Sequence, residues 1–354
     1  MLHIILFPLS FIYGIITFFR NKCYELKILK STSFNIPIIG IGNLSVGGSG
    51  KTPHTEYLID LLMSHQNICT LSRGYKRKTK GYLLSTEGSN TSDIGDEPMQ
   101  IKSKYQKINV AVSEDRVKGV NNILRDLPNT NTIILDDAYQ HRAINPGLKI
   151  LITDFNNPFY CDFLLPIGRL RESRKGYQRA DIIIVSKTPK STTENTLKDI
   201  EQNINILPNQ KLYFTCINYG GLTPFSSFSK RIELPNIYKN SILLLTGIAN
   251  PTPLFSHLKS LSNNIEKLSF PDHHQYNLTD IKKIKNQFNS INSDNKIIIT
   301  TEKDIMRLSL PEIYNEIQDL PIFFIPIKIG FLDEQSKQHF DKQILEYVSS
   351  NKGN

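Results

Sequence analysis

The sequence predicts an α/β protein with a mostly parallel sheet, and three observations support this prediction. Between residues 36 and 216, apolar runs alternate with stretches that have helical spacing. Several runs are apolar at every position, which is typical of strands covered on both faces. The same alternation resumes beyond residue 240. Because parallel strands need crossover connections, the alternation itself indicates the parallel class.

The larger region contains seven predicted strands and two clear helices. The strands lie at 36–42, 67–72, 107–113, 132–137, 149–155, 180–187 and 211–217. The helices lie at 114–127 and 195–204. At 220–236 the pattern breaks into Gly, Pro and Ser, which indicates a junction.

A smaller C-terminal α/β domain is predicted after this junction. Its strands lie at 241–248, 265–270, 296–301 and 322–327. Helices are expected between these strands, and a final one near 335–348. With 354 residues, the chain is long enough for two modest domains with filled cores.

The N-terminus is a separate apolar segment. Residues 2–19 contain no Asp, Glu, Lys or Arg, and a helix of that length reaches about 27 Å. Four cations follow it: Arg20, Lys22, Lys27 and Lys30. By the positive-inside rule, these cations place the downstream chain on the cytoplasmic side. A signal peptide is disfavoured because no basic stretch precedes the apolar run and no small-residue cleavage site follows it. Pro8 and Gly14 weaken the helix, so lying in the membrane interface is as plausible as spanning the bilayer. We predict a hydrophobic membrane anchor of one of these two kinds, and a buried core helix is the alternative.

The net charge limits the classes of partner that the protein is expected to bind. The net charge of +9 favours an anionic partner, which could be nucleic acid, an acidic membrane surface or a phosphorylated substrate. No recognised nucleic-acid module occurs, so we predict no nucleic-acid partner.

The 4 cysteines are scattered without paired spacing. This disfavours a zinc site or a disulfide framework and favours a reducing compartment.

A glycine-rich loop, GNLSVGGSGKTP at 42–53, follows the first predicted strand and precedes a helical stretch. Its glycines allow backbone N–H groups to turn toward phosphate oxygens at a helix N-terminus. Ser45 stands where the usual pattern has glycine, but the flexible residues lie nearer the phosphates. The residues predicted to bind the nucleotide are Gly47, Gly48, Ser49, Gly50, Lys51, Thr52 and Pro53. The prediction is therefore a P-loop NTPase-like core.

Acidic residues supply the second half of a nucleotide site. The strand at 132–137 ends in Asp136 and Asp137, where the carboxylate that serves Mg²⁺ is expected. Carboxylates at strand ends are also common as helix caps. The loop and the acidic strand end together favour a site for ATP and Mg²⁺.

Three further clusters indicate chemistry. Asp96 and Glu97 stand directly before Pro98, although simple helix capping would also place them there. Five cations surround Glu172 in the stretch 166–181. The stretch at 272–274 reads Asp-His-His and follows a predicted strand. Lone histidines usually pack, but this run at a strand end suggests a functional site.

These pieces resemble one family, the tetraacyldisaccharide 4'-kinases that phosphorylate the lipid A precursor in Gram-negative bacteria. The resemblance covers residues 1 to about 305, in the family's order. The shared stretches are GNLSVGGSGKTP, LSRGYKRK, GDEP, LDDAYQHR, LLPIGRLRE, RAD, TGIANP, FPDHH and TTEKD. The chain departs from the family pattern at Ala138-Tyr139, where Gly-Phe is usual, and at Ser173, where Pro is usual.

The resemblance implies transfer of the ATP γ-phosphate to a lipid. The acceptor is the 4'-hydroxyl of a β-1,6-linked glucosamine disaccharide with four acyl chains and a 1-phosphate, and the product is lipid IVA. The expected location is the cytoplasmic face of the inner membrane. By the same resemblance, Asp96 is the catalytic base and works with His273 across a cleft between the domains. A histidine partner could orient or tune a carboxylate that is otherwise a weak base.

The remaining predicted residues bind the metal ion or anionic groups. Residues assigned to the metal are Thr52, Asp136, Asp137, Glu97 and Glu172, of which the last two are expected to organise it. A basic stretch follows the second strand, with cations at Arg73, Lys76, Arg77, Lys78 and Lys80. This stretch suits anionic headgroups, including the 1-phosphate of the substrate, although a solvated basic loop is an equal alternative.

The predicted organisation has three parts: a membrane-associated helix at 1–30, a kinase domain at 31–220 and a C-terminal domain at 221–354. Two rival functions account for part of the sequence. A membrane-associated P-loop ATPase switch would hydrolyse ATP without a lipid acceptor, and it gives no role to GDEP or FPDHH. A metal-dependent phosphoesterase would use the Asp-His-His run but leaves the glycine-rich loop unexplained. A GTPase is disfavoured because neither SKTP nor TEKD has the Asn-Lys-x-Asp spacing.

Overall fold

The predicted mostly parallel α/β class is confirmed by a computed structural model, which describes residues 2–231 and 237–351. Its strands are β1 Ile38–Gly42, β2 Ile68–Ser72, β3 Leu83–Leu84, β4 Asn109–Val112, β5 Thr132–Leu135, β6 Leu148–Asp154, β7 Ile182–Ser186, β8 Lys211–Tyr219, β9 Thr223–Pro224, β10 Ser241–Thr246, β11 Ile265–Ser269, β12 Lys296–Thr301, β13 Ile322–Ile325 and β14 Ile327–Phe331. Its α-helices are α1 Leu2–Glu25, α2 Lys51–Leu62, α3 Thr91–Ile94, α4 Asp96–Lys104, α5 Arg116–Asp126, α6 Glu194–Ile204, α7 Thr252–Lys259, α8 Leu278–Ser290, α9 Glu302–Leu308, α10 Pro311–Ile317 and α11 Glu334–Ser350. All predicted strands are present, and β3, β9 and β14 are additional.

The chain divides into two compact units. Unit 1 comprises Met1–Gly88, Ile101–Asn218 and Ile329–Asn354. Its sheet has the order β14-β8-β7-β6-β1-β5-β2-β4-β3. From β8 to β4 every neighbouring pair is parallel, whereas β3 runs antiparallel to β4. All residues of β1 are buried, as expected for a central strand covered on both faces.

The strand order in unit 1 indicates where to look for a ligand site. The strands β5, β2 and β4 lie on one side of β1, and β6, β7 and β8 lie on the other. The C-terminal end of β1 is therefore the point where the winding direction reverses. In open parallel sheets, ligands bind beside this reversal, outside the carboxyl ends of the strands. The glycine-rich loop begins at this end of β1.

The helix α1 belongs to unit 1 and bonds to the rest of that unit through polar residues. The Ser10 hydroxyl donates to the Leu164 carbonyl at 3.0 Å, and the Tyr13 hydroxyl donates to the Arg171 carbonyl at 2.7 Å. Large apolar side chains of the same helix are exposed: Phe7, Leu9, Phe11, Ile12, Ile15, Ile16, Phe18 and Phe19. Within residues 2–231 and 237–351, no helix combines the length and the apolar character needed to cross a bilayer.

The helix α11 belongs to unit 1, although it follows the C-terminal region in sequence. The Tyr347 hydroxyl donates to the Ile38 carbonyl at 3.0 Å and accepts from the Ile38 N–H at 3.1 Å. The Tyr57 hydroxyl donates to Asp341 at 2.7 Å. These contacts join α11 to β1 and α2, the two elements that flank the glycine-rich loop.

Unit 2 comprises Ser89–Gln100 and Tyr219–Lys328. Its sheet has the order β11-β10-β12-β13-β9, parallel except for the antiparallel β9. Successive side chains of a strand point to opposite faces, and β10 illustrates this. Leu243 and Leu245 pack in one core cluster, whereas Ile242 and Leu244 pack in another.

The units differ from the predicted domains in two segments. Residues 89–100 belong to unit 2, and residues 329–354 belong to unit 1. The first difference arises because Asp96 and Glu97 bond to side chains of the C-terminal region. The predicted junction at 220–236 contains β9, and its residues 232–236 lie outside the described part of the chain. That the ranges 1–30, 31–220 and 221–354 act as separate domains stays a prediction.

Candidate active site

The glycine-rich loop joins β1 to α2 in unit 1. Gly47 and Gly50 have φ values of 110° and 89°, in the left-handed region that side-chain-bearing residues rarely adopt. Gly50 is the N-cap of α2, so the first N–H groups of the helix follow it directly. Lys51 and Thr52 open the helix, and Pro53 follows in its first turn, where the missing N–H costs little. The geometry matches that of a phosphate-binding loop.

Asp136 and Asp137 follow the C-terminal end of β5, which pairs with β1 in parallel. Asp136 is buried, and Asp137 lies 3.5 Å from Lys51 and 2.9 Å from Arg171. Burial raises the pKa of Asp137, but Lys51 and Arg171 outweigh this and hold the pKa of the carboxyl below its ordinary value. The pair therefore offers carboxylate oxygens at the edge of the sheet where the loop begins.

Glu172 is a buried organising residue of unit 1. Both of its oxygens accept from the Arg179 guanidinium, each at 2.9 Å. Asn21 donates to one oxygen at 2.9 Å, and Gln140 donates to the other at 3.0 Å. These donors engage both oxygens, so the geometry suits a positioning role, between α1 and the segment after β5, better than direct metal binding.

The oxygen donors beside the loop fit Mg²⁺. This ion is usually held by one or two carboxylates together with substrate phosphates and water, not by a cage of protein ligands. The Thr52 hydroxyl and the carboxylates of Asp136 and Asp137 supply such a donor set. In the part of the chain that the structure describes, no group of three or more His, Cys, Asp or Glu side chains forms an all-protein metal cage.

Asp96 and His273 contact each other in unit 2. Asp96 is the first residue of α4 and is 5% exposed. His273 follows β11 with a left-handed φ of 56°, and its Nδ1 lies 3.0 Å from Oδ2 of Asp96. The resemblance placed this pair across a cleft between domains. The contact is instead made within unit 2, because residues 89–100 belong to that unit.

Arg307 completes this cluster. Its Nε donates to Asp96 at 2.8 Å, and its Nη1 donates to the Gly247 carbonyl at 2.9 Å and to Asp304 at 3.1 Å. Asp304 in turn accepts from the Tyr276 hydroxyl at 3.1 Å. The Arg307 and Asp304 side chains are fully buried. Asp96 is therefore attached to a rigid polar network rather than to a mobile surface group.

The network sets the charge of Asp96. Burial raises its pKa, but the His273 hydrogen bond and the Arg307 guanidinium together outweigh burial and leave the pKa below the ordinary value. Asp96 is thus a carboxylate at neutral pH, able to accept a proton. Its orientation is fixed because both partners bind the same oxygen, Oδ2.

The other predicted residues occupy separate places. Glu97 accepts from Lys303 at 2.9 Å within unit 2, whereas the loop and the aspartates after β5 lie in unit 1. In the basic stretch at 73–80, Arg77 pairs with Glu114. The other cations of this stretch are exposed: Arg73, Lys76, Lys78 and Lys80.

Three functional candidates were not singled out from the sequence: Arg171, Lys187 and Arg307. Lys187 is the first residue after β7, and a cation directly after a parallel strand was a usable signal. Arg307 stands three residues after the Asp of TTEKD, the spacing that places two side chains on one helical face. In the sequence, Arg171 is one of five cations around Glu172 and carries no separate signal.

Comparison with known families gives one match along nearly the whole chain. The model of the family described as "Tetraacyldisaccharide-1-P 4'-kinase" matches residues 2–348. A tetraacyldisaccharide 4'-kinase of Bacteroides thetaiotaomicron is 43% identical, over 100% of this chain and 95% of that protein. The protein of the same description from Flavobacterium psychrophilum is 45% identical, over 99% of this chain and 98% of that protein.

A solved structure is similar along the full length. It is the "apo" form of LpxK from Aquifex aeolicus, described as a complex with ATP. The TM-score is 0.74 at 30% sequence identity, and the match covers 98% of this chain and 100% of that one.

Proposed function

The chain belongs to the tetraacyldisaccharide-1-P 4'-kinase family, and on that premise we propose that it transfers the γ-phosphate of ATP to the 4'-hydroxyl of a tetraacyldisaccharide 1-phosphate. The product is lipid IVA, an intermediate of lipid A biosynthesis. The observation that carries the proposal is the family match over residues 2–348, which includes the glycine-rich loop, the aspartates after β5 and the Asp96 cluster. A switch ATPase without a lipid acceptor is not favoured.

The glycine-rich loop and Lys51 bind the phosphates of ATP and stabilise their negative charge. Phosphoryl transfer has a loose transition state, so positioning and charge stabilisation supply most of the catalysis. The N–H groups at the start of α2 and the Lys51 ammonium face developing negative charge on the phosphate oxygens. Arg171 is a second cation at this edge of the sheet, held by Asp137.

Magnesium is the expected metal of the reaction, with Thr52 and one or both of Asp136 and Asp137 as its protein ligands. Bound Mg²⁺ neutralises charge on the β- and γ-phosphates. Among the carboxylates, Asp136 is more deeply buried, whereas Asp137 is engaged by Lys51 and Arg171. Glu172 acts indirectly, by fixing the segment that carries Arg171.

Replacing Thr52 with Val tests the metal assignment. The change keeps the shape of the side chain and removes the hydroxyl oxygen. We expect the Mg²⁺ concentration for half-maximal activity to rise by at least about tenfold, the lower bound of what even an outer-shell partner contributes. Magnesium titrations of the initial rate measure this. A matched change, Thr196→Val at a partly exposed threonine of α6, should leave the titration unchanged. An unaltered titration for Thr52→Val would remove Thr52 from the metal site.

Asp96 is the proposed catalytic base. In the reaction, the 4'-oxygen forms a bond to the γ-phosphorus, the bond from that phosphorus to the bridging oxygen of ADP breaks, and the hydroxyl proton passes to the Asp96 carboxylate. Arg307 and His273 occupy Oδ2 of Asp96, so Oδ1 is the oxygen assigned to the proton. A lowered pKa makes Asp96 a weak base, but a loose transition state needs little base strength.

A direct assay tests the function. The detergent-solubilised protein is incubated with γ-³²P-ATP, Mg²⁺ and tetraacyldisaccharide 1-phosphate, and the lipid fraction is separated and counted. Label in the lipid is the expected result. Release of labelled inorganic phosphate at the same rate with and without the lipid, and no labelled lipid, would contradict the proposal and favour the ATPase switch.

The proposed working place is the cytoplasmic face of the inner membrane. The acyl chains of the substrate stay in the bilayer, so the enzyme must meet the headgroup there. The exposed apolar side chains of α1 and the exposed cations of the 73–80 stretch suit an anionic interface.

Substitution in α1 tests this placement. Phe7 and Phe11 are each more than half exposed, and transferring both rings from water to a bilayer stabilises binding by several kcal/mol. We expect the double change Phe7→Ser and Phe11→Ser to weaken cosedimentation with phosphatidylglycerol vesicles by at least about tenfold. Leu278→Ser, at an exposed apolar residue of unit 2, is the control. Equal binding by all the proteins would exclude α1 as the membrane contact.

A further inference from the structure

Two residues at the end of β7, Ser186 and Lys187, donate hydrogen bonds to backbone carbonyls of the glycine-rich loop. The Ser186 hydroxyl donates to the Ser49 carbonyl at 2.7 Å and lies 3.1 Å from the Thr153 carbonyl. The Lys187 ammonium donates to the Gly48 carbonyl. Two consecutive carbonyl groups of the loop are therefore bound by two consecutive residues of another element.

The sheet brings these groups together. The strands β7, β6 and β1 are neighbours in that order and are parallel, so their C-terminal ends meet at one edge. Asp154, the last residue of β6, accepts from Lys187 at 2.7 Å and fixes its direction. Lys187 has a φ of 59°, a left-handed conformation that a lysine rarely adopts. Backbone strain of this kind persists where the surroundings hold the residue, and it concentrates at functional sites.

Peptide geometry connects these bonds to the nucleotide. In a planar trans peptide, the C=O and the following N–H point in opposite directions. A donor on the Ser49 carbonyl therefore turns the Gly50 N–H to the other side of the loop. The Ser49 N–H itself donates to the Gly47 carbonyl at 3.0 Å. We therefore assign the Gly50 N–H, and not the Ser49 N–H, to a phosphate oxygen.

We propose that Lys187 and Ser186 are positioning residues for ATP, which fix the peptides of the phosphate loop so that its N–H groups are preorganised for the phosphates. The proposal rests on ATP binding at this loop, as the proposed function requires. A third carbonyl, that of Gly50, is bound on the helix side by Nδ1 of His54 at 2.7 Å. Preorganisation lowers the ordering that ligand binding would otherwise require, so its loss weakens affinity.

The test is ATP affinity, measured by isothermal titration of the full-length protein with a non-hydrolysable ATP analogue and Mg²⁺. We expect Lys187→Met to raise the Kd by about 10- to 100-fold, the range for a hydrogen bond from a charged donor. Lys187→Arg keeps a charged donor and should recover most of the affinity. The KM for the lipid should change less than twofold. Lys190→Met, at an exposed lysine of the same connection, is the matched control.

The outcomes separate the two proposals. If the wild-type protein does not bind the analogue, nucleotide binding and with it the proposed function fail. If the wild type binds and Lys187→Met binds equally well, only the positioning role is overturned. A lower melting temperature with unchanged Kd would also overturn it, because that is the result for a purely structural lysine. Should Lys187→Met not fold, Ser186→Ala removes the second donor, and an unchanged Kd in that variant has the same meaning.

Discussion

We expect Asp96→Asn to lower the turnover number for lipid phosphorylation by about a thousandfold, within the range for loss of a general base, and to leave the affinity for ATP unchanged. The amide cannot accept the proton of the 4'-hydroxyl. The fold should tolerate the change, because Arg307 keeps its bonds to Asp304 and to the Gly247 carbonyl. Single-turnover transfer of label from ATP to the lipid measures the effect.

The neighbouring residues supply the controls for this experiment. Asp294→Asn, at an exposed carboxylate of unit 2, should have no effect. His273→Gln should lower turnover less than Asp96→Asn, since Arg307 still orients the carboxylate. His274→Gln should leave turnover nearly unchanged, because His274 bonds to Asp280 instead of Asp96. A rate for Asp96→Asn within a factor of three of the wild type would exclude Asp96 as the base.

Lys51→Met is expected to lower kcat/KM for ATP by about 10³-fold, the upper end of what one donor to a developing anion contributes. In the proposed reaction, this ammonium at the start of α2 supplies the point charge for the β- and γ-phosphates. Its loss should not unfold unit 1, because Asp137 keeps its bonds to Arg171. Steady-state rates at varied ATP concentration and a melting curve measure the two effects separately.

Lys198→Met provides a matched loss of charge on the exposed side of α6 and should retain wild-type kinetics. A uniform fall in activity for Lys51→Met that followed a lower melting temperature would indicate misfolding rather than a lost phosphate contact. A kcat/KM for ATP within tenfold of the wild type, in a stable protein, would contradict the assignment.

The sequence predicted the fold class and every strand except β3, β9 and β14, because buried parallel strands are continuous apolar runs. Only Ile329 of β14 is buried, so β14 is not such a run. The short strands β3 and β9 left no such signal, since two residues carry no periodicity. The division into units was less predictable. Residues 89–100 lie between elements of unit 1 in sequence, and their place in unit 2 depends on long-range bonds such as that between Asp96 and Arg307.

The candidate site shows the same limit. The loop residues and the acidic strand end are contiguous motifs, so their spacing alone indicated phosphate and metal chemistry. The partners that orient them come from distant parts of the chain. Arg307 lies 211 residues from Asp96, and Lys187 lies 139 residues from Gly48. Such contacts follow from strand order and helix register, which a single sequence does not display.

The return of α11 to unit 1 affects how this chain can be divided and assembled. Residues 327–350 supply the strand β14 beside β8 and the tyrosine that bonds to both backbone groups of Ile38. On the ribosome, the sheet that carries the phosphate loop therefore stays incomplete while residues 219–328 are being synthesised. A fragment cut at the junction near residue 220 would expose the edge of β8 and the surface that α11 covers. We therefore expect unit 1 to need both its segments before residue 219 and its segment after residue 328 in order to fold.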